Sequence, residues 1–112
     1  MAEQDLTALN IEIGRREAEG DRAYFESLLA EAFAMRRAGG AVVDREAFLS
    51  VVKVSDHRPT VINAVRVLGP CRAVVECTVT TGGVAYANVR LFVRGDTGQP
   101  WQLLAWANEP AG

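Results

Sequence analysis

The chain has 112 residues, enough for one domain with one core and no need of disulfide staples. Apolar residues make up 49% and charged residues 23%, the balance of an ordinary globular domain. The net charge is −2 with no basic block, which argues against nucleic-acid binding driven by phosphate neutralisation.

No apolar run reaches the roughly 20 residues that a membrane span requires. The start, "MAEQDLTALN", lacks a basic region followed by an apolar one, so no secretory signal is read and the cytoplasm is the expected location.

In chain order, Glu3 to Glu19 has helical spacing, with Leu6, Leu9 and Ile13 on one stripe and Arg15, Arg16, Glu17 and Glu19 off it. Gly20 ends this helix in a left-handed cap. Asp21 caps a second helix whose apolar side is Tyr24, Phe25, Leu28 and Leu29. "AFAMRRAGGAVVD" predicts two short strands about the Gly39-Gly40 turn, and Asp44 caps a short third helix, "REAFLSVV". "SDHRP" is a loop, because Pro59 biases Arg58 away from helix. Four strands follow, Val61–Leu68, Arg72–Thr80, Val84–Arg94 and Trp101–Asn108, joined at Gly69-Pro70, Gly82-Gly83 and "GDTGQP". Helices first and antiparallel strands last make the class α+β.

The cysteines, Cys71 and Cys77, lie six residues apart on one strand, about 20 Å, too far for a bridge. One histidine and this spacing also suit zinc poorly. Two free thiols acting as small hydrophobes, with no metal and no cofactor, are expected.

Pairing across Gly82-Gly83 sets Val79 opposite Tyr86, Cys77 opposite Asn88 and Val75 opposite Arg90. Pairing Val93 with Trp101 sets Asn88 opposite Trp106 and Arg90 opposite Leu104. One face then holds Tyr86, Asn88, Arg90, Phe92, Val75, Cys77, Gln102, Leu104, Trp106 and Asn108. The other holds Val74, Val89, Leu91, Val93, Trp101 and Leu103, beside Arg72, Glu76, Thr78 and Ala105. Both carry apolar area, so both need a cover.

"REAEGDRAYFESLLAEAFAMRRAGGAVVDREAFL", then "VRVLGPCRAVV", "NVRLFVR" and "WQLLAW", resembles the nuclear transport factor 2-like superfamily, and within it the bacterial SnoaL-like group of unassigned function. The resemblance spans nearly the whole chain. It implies a cone: three N-terminal helices packed in a strongly curved, mixed but mainly antiparallel sheet, open to a pocket at one end. It also implies a homodimer through the outer sheet face. In the related association domain of calmodulin-dependent kinases, the residues matching Arg90 and Asn108 point into the pocket. On that likeness the pocket set is Tyr86, Asn88, Arg90, Phe92, Trp106 and Asn108 with Arg37, and the dimer face is Val74, Val89, Leu91, Val93, Trp101 and Leu103.

The ketosteroid isomerases of the superfamily use an aspartate base and a tyrosine with a protonated aspartic acid. Arg37 and Ile13 stand where that base and tyrosine would be, so this chemistry is not expected. The dehydratases and cyclases use histidine and aspartate. His57 is the one catalytic candidate of that kind, and its neighbour Asp56 is badly placed to orient it. No GxSxG, HExxH or phosphate-loop pattern is present, and Cys77 has no evident base.

A buried Arg90 needs a carboxylate, a backbone carbonyl, water or a ligand. By sequence the nearest acids are Glu31, read at the end of helix two, and Asp56. A structural ion pair and a ligand site both remain open. The donor-rich set suits a small anionic or polar aromatic ligand. The alternatives are a cyclase-, dehydratase- or isomerase-type enzyme and a ligand-free dimeric interaction module.

Overall fold

The structure, a computed structural model, describes residues 2–112. The elements run α1 (Ala2–Glu19), α2 (Arg22–Leu28), β1 (Leu29–Arg36), β2 (Val42–Asp44), α3 (Arg45–Ser50), β3 (Thr60–Val67), β4 (Arg72–Thr81), β5 (Val84–Val93) and β6 (Gln102–Pro110). The strands form one six-stranded sheet in the order β2-β1-β6-β5-β4-β3. Only β1 and β6 pair in parallel; the other ladders are antiparallel. This is the α+β architecture expected from helices first and strands last, with all three helices against one sheet face.

The caps act where the sequence places them. Gly20 has φ +69°, a conformation that costs a side chain dearly and glycine little. Asp21 accepts from the Tyr24 backbone N–H at 3.1 Å, and Asp44 from that of Ala47 at 2.9 Å. Leu29 and Glu31, read as helical, instead open β1. α2 ends at Leu28 after seven residues, because the phenylalanine and methionine beyond it alternate with exposed residues and fill the sheet's inner face.

Core side chains come from every layer. Leu6 and Ile13 of α1, Phe25 of α2, Phe48 and Leu49 of α3, Phe33 and Met35 of β1, Val75 of β4, Phe92 of β5 and Trp106 of β6 form one cluster. Phe48 is its hinge: it packs edge-on against Phe25 and Phe33 at centroid distances of 5.4 and 5.6 Å and lies 5.7 Å from Trp106. Such aromatic contacts add about 0.5–1.5 kcal/mol beyond burial.

The β4–β5 ladder has the register read from the Gly-Gly turn, with Val79, Cys77 and Val75 opposite Tyr86, Asn88 and Arg90. The β5–β6 ladder does not. Val93 pairs with Gln102, Phe92 with Leu103, Leu91 with Ala105, Arg90 with Trp106 and Asn88 with Asn108. One step on β5 spans two on β6, so Leu104 is the extra residue of a bulge.

A one-residue slip exchanges the faces of everything before it. Trp101 and Leu103, expected at a dimer interface, are therefore core residues, 8% and 0% exposed. The Arg94 guanidinium stacks on the Trp101 ring at 4.0 Å. Gln102, expected inside, is exposed.

This correction gives a stability prediction. Leu103→Ala should cost about 2–5 kcal/mol in denaturant unfolding, as buried leucine truncations do. Val89→Ala, on the opposite face and 48% exposed, should cost well under half of that.

Candidate functional site

The site is built on a buried cation. Arg90 is fully buried in the middle of β5. Neither of the acids nearest to it by sequence is its partner: Glu31 is exposed on β1 and Asp56 is exposed in the loop before β3. Amides take their place. One terminal nitrogen of Arg90 donates to Asn10 Oδ1 at 3.0 Å and to the Asn10 carbonyl at 3.4 Å; the other donates to Asn88 Oδ1 at 3.2 Å. The guanidinium stacks on the Trp106 ring at 4.3 Å, a cation–π contact that strengthens when water is excluded. Burial pushes the guanidinium below its ordinary pKa. Its Nε–H has no partner among the described residues.

The network also orients its amides. Asn10 donates its amide to the Leu6 carbonyl at 2.7 Å, which turns its oxygen toward Arg90. Asn88 Oδ1 accepts from Arg90 and from the Trp106 indole N–H at 2.6 Å, while its amide donates to the Tyr86 carbonyl at 3.2 Å. The same indole N–H reaches Asn108 Oδ1 at 3.0 Å. With its oxygen engaged, Asn108 has an amide N–H₂ left to offer.

A cavity of about 240 Å³ lies above this network, lined by Glu17, Met35, Arg37, Ala38, Arg58, Val79, Thr81, Tyr86, Asn88, Trp106 and Asn108. A smaller one of about 140 Å³ shares Glu17, Met35, Arg37 and Arg58 with it. Five of the residues expected at the pocket, Arg37, Tyr86, Asn88, Trp106 and Asn108, therefore meet at one cavity. Arg90 and Phe92 do not reach it. They lie behind the wall, Arg90 as the support of Trp106 and Asn88, and Phe92 as core. His57 is exposed in the loop and lines neither cavity.

Three site residues escape the sequence reading: Asn10, Glu17 and Arg58. Asn10 and Glu17 lie on the α1 stripe that runs through Leu6, Ile13 and Gly14, four residues after Leu6 and after Ile13. A polar residue in register with a buried stripe was the available signal. Glu17, expected off the stripe, has a side chain only 17% exposed. Its carboxylate meets the Arg58 guanidinium at 3.7 Å. Burial pushes its pKa up from the ordinary 4.5, against the pull of Arg58, Arg90 and Arg37.

Arg58 owes its position to a glycine. A Cβ on Gly14 would stand 2.9 Å from the Arg58 carbonyl oxygen and 2.7 Å from Thr60 Oγ1. The bare helix surface at Gly14 thus lets the loop approach closely enough to hold Arg58 over Glu17. The loop is tied down on both sides, by Ser55 N–H to the Ala18 carbonyl and by Thr80 N–H to the Pro59 carbonyl, both 3.0 Å.

Cys77 is buried on β4, where burial raises its thiol pKa; this opposes formation of the thiolate that a nucleophile requires. Cys71 is half-buried ahead of the strand, and both thiols are free. Among the described residues no three His, Cys, Asp or Glu side chains come together as a metal cluster, and no helix is long and apolar enough to cross a membrane.

A raised carboxyl pKa has a definite sign in stability. The folded state holds the Glu17 proton more tightly than the unfolded chain, so this contribution is present below the ordinary value of 4.5 and is lost as pH rises through the folded value. Glu17→Gln should therefore raise the melting temperature at neutral pH, and the gain should shrink toward zero in acid. Thermal melts across pH check this.

The sequence matches no family model and no curated protein. The fold is matched by solved structures. An NTF2-like protein of unknown function in nutrient uptake from Rhodospirillum rubrum is 21% identical, with a TM-score of 0.75 over 88% of this chain and 91% of that one. A domain of unknown function with a cystatin-like fold from Nostoc punctiforme is 16% identical, with a TM-score of 0.77 over 98% and 77%. The CamKII hub homology domain of Chlamydomonas reinhardtii is 15% identical, with a TM-score of 0.71 over 100% and 99%. The chain has the nuclear transport factor 2-like fold, the cystatin-like α+β architecture of these proteins.

Proposed function

We propose that this protein is a binding domain for a small anionic molecule, with carboxylates of aromatic or short aliphatic acids as the best-suited class. The observation that supports it most is the donor set at the cavity. Arg37, Arg58 and the free amide of Asn108 converge on a space walled by Tyr86 and Trp106. Guanidinium and amide N–H groups make charge-assisted hydrogen bonds to an oxyanion. Planar aromatic walls suit a flat apolar remainder. The volume limits the ligand to a small one.

Arg90 has a supporting role in this reading. It fixes Asn88 and Trp106 and adds positive potential from behind, without touching the ligand. An enzyme built on His57 would need that imidazole inside the cavity, and it stands outside.

The panel to screen is aromatic and aliphatic carboxylates, by thermal shift. A ligand at 100 times its dissociation constant should stabilise the protein by about 2.7 kcal/mol. Arg58→Met and Arg37→Met should each weaken the response at least about tenfold, the value of one charge-assisted hydrogen bond. Gly14→Ala should weaken it too, because it moves the Arg58 backbone while both guanidinium groups remain. A panel in which no carboxylate shifts the melt would defeat the reading.

The second element is a homodimer through the sheet face turned away from the helices. Val74, Leu91 and Ala105 form one cross-strand row there, and Val89 and Ala107 the next. Val89 is 48% exposed. The Arg66–Glu76 ion pair at 3.1 Å and the Thr78–Asn63 hydrogen bond at 2.9 Å edge this apolar centre on the β3 side. An apolar centre with a polar border is the layout of a protein interface. The likeness in fold to a hub homology domain supports the same reading. With Trp101 and Leu103 withdrawn into the core, the proposed interface centres on Val74, Val89, Leu91 and Val93. Leu91→Arg should convert a dimer into a monomer or an insoluble chain. Wild-type protein that sediments as a monomer at micromolar concentration would contradict the interface.

A further inference from the structure

Glu17 is an anomaly in an anion site. It places a carboxylate on the same cavity wall as Arg37 and Arg58. Its side chain is 17% exposed, and its contact with Arg58 is a long 3.7 Å. That pairing is loose: Arg58 also lies near Ser55 Oγ, at 3.3 and 3.4 Å. An incoming carboxylate would compete with Glu17 for Arg58 and would be repelled by it. Two carboxylates cannot both stay ionised against one pair of guanidinium groups without a cost of the kind that forces like-charged acids to share a proton.

From this geometry we propose that the cavity takes up its anion together with one proton, which settles on the Glu17 carboxylate. The inference rests on the anion-binding reading above and adds a regulation to it. In the empty protein the Glu17 carboxylate is the internal partner of Arg58. When the ligand arrives, Glu17 takes a proton from solvent and becomes a neutral hydrogen-bond donor beside the bound anion. Arg58 is then released to the ligand. No covalent bond forms or breaks, and the ligand's charge replaces that of Glu17. Low pH favours the bound state and high pH the empty one.

The groups facing Glu17 are consistent with a single titrating residue. Arg58 comes from the loop before β3, Arg37 from the turn after β1, and Arg90 from β5 beneath, the three cations that act on its charge. Lys53 lines the smaller cavity beside it, and Tyr86 the larger. Guanidinium groups do not titrate in this range. His57 lies outside both cavities. Burial raises the Glu17 pKa in the same direction that the scheme requires.

The experiment uses benzenesulfonate, an aromatic anion that stays ionised throughout, with benzoate in parallel. Binding is measured by calorimetry between about pH 5 and about pH 8 in wild type, Glu17→Gln and His57→Asn, where a one-proton linkage changes affinity by up to about tenfold per pH unit. Buffers of different ionisation enthalpy report the protons taken up. Wild type should bind at least about tenfold more weakly at the upper end, with net proton uptake on binding. Glu17→Gln should bind at all pH values with the wild-type affinity of the acid end. His57→Asn should follow wild type.

Wild-type binding that does not change with pH would overturn the proposal. So would a pH dependence that survives in Glu17→Gln or disappears in His57→Asn. In those cases anion binding itself still stands. If neither probe binds any variant at any pH, the anion-binding reading fails, and the proton coupling with it.

Discussion

A guanidinium buried without a carboxylate is the constraint from which the interior of this fold follows. A charge in a core must be paired, hydrogen-bonded or removed. Arg90 is held by three amide oxygens and one indole face. The cost of its burial is spread over α1, β5 and β6. Each partner is in turn fixed by another bond: Asn10 by the Leu6 carbonyl, Asn88 by Tyr86 and Trp106, and Trp106 by Asn108. The helix and the sheet are thereby locked in one relative register. Loss of the Asn88 amide would leave a charged donor unsatisfied, which costs more than a hydrogen bond contributes.

That lock also explains why the cavity above it is polar. Asn88 and Trp106, fixed by the cation below, line it together with Asn108, whose oxygen accepts from the Trp106 indole. Arg37 and Arg58 add charge from the two loops that border the opening. The wall is therefore a layer of donors supported by a buried charge. Glu17 is the one carboxylate in that lining. It offsets part of the positive charge of Arg37 and Arg58 there, and in the proposed scheme it is the group that couples occupancy to protons.

Much of the architecture was legible in the sequence because it depends on local chemistry. The capping aspartates, the Gly20 stop and the Gly-Gly hairpin each specify a conformation through a single residue and its neighbours. The β4–β5 register followed from the turn alone. The β5–β6 register did not, because "GDTGQP" is too long to fix a register and nothing in the residues marks Leu104 as a bulge. That one residue reversed Trp101 and Leu103 between core and surface. Strand parity and family likeness grouped Arg37, Tyr86, Asn88, Trp106 and Asn108, and these five line one cavity. Asn10 and Glu17 were missed because a charged or polar residue on a helix is read as solvent-facing until its stripe is checked. Arg58 was missed because its place depends on Gly14, more than forty residues earlier in the chain, and close approach between distant segments leaves no periodic trace. The signal left unread was that helix glycine, an unfavourable residue in a helix interior unless something must come near.

The most direct test of the central claim is a titration of isotopically labelled protein with benzoate, followed by NMR at the side-chain N–H groups. The account predicts saturable shifts at the Asn108 side-chain amide and the Trp106 indole N–H, together with the guanidinium signals of Arg37 and Arg58. The side-chain amide of Asn10, buried on the far side of Arg90, should move far less. Shifts confined to His57 and the outer sheet face, or none at any site, would contradict it.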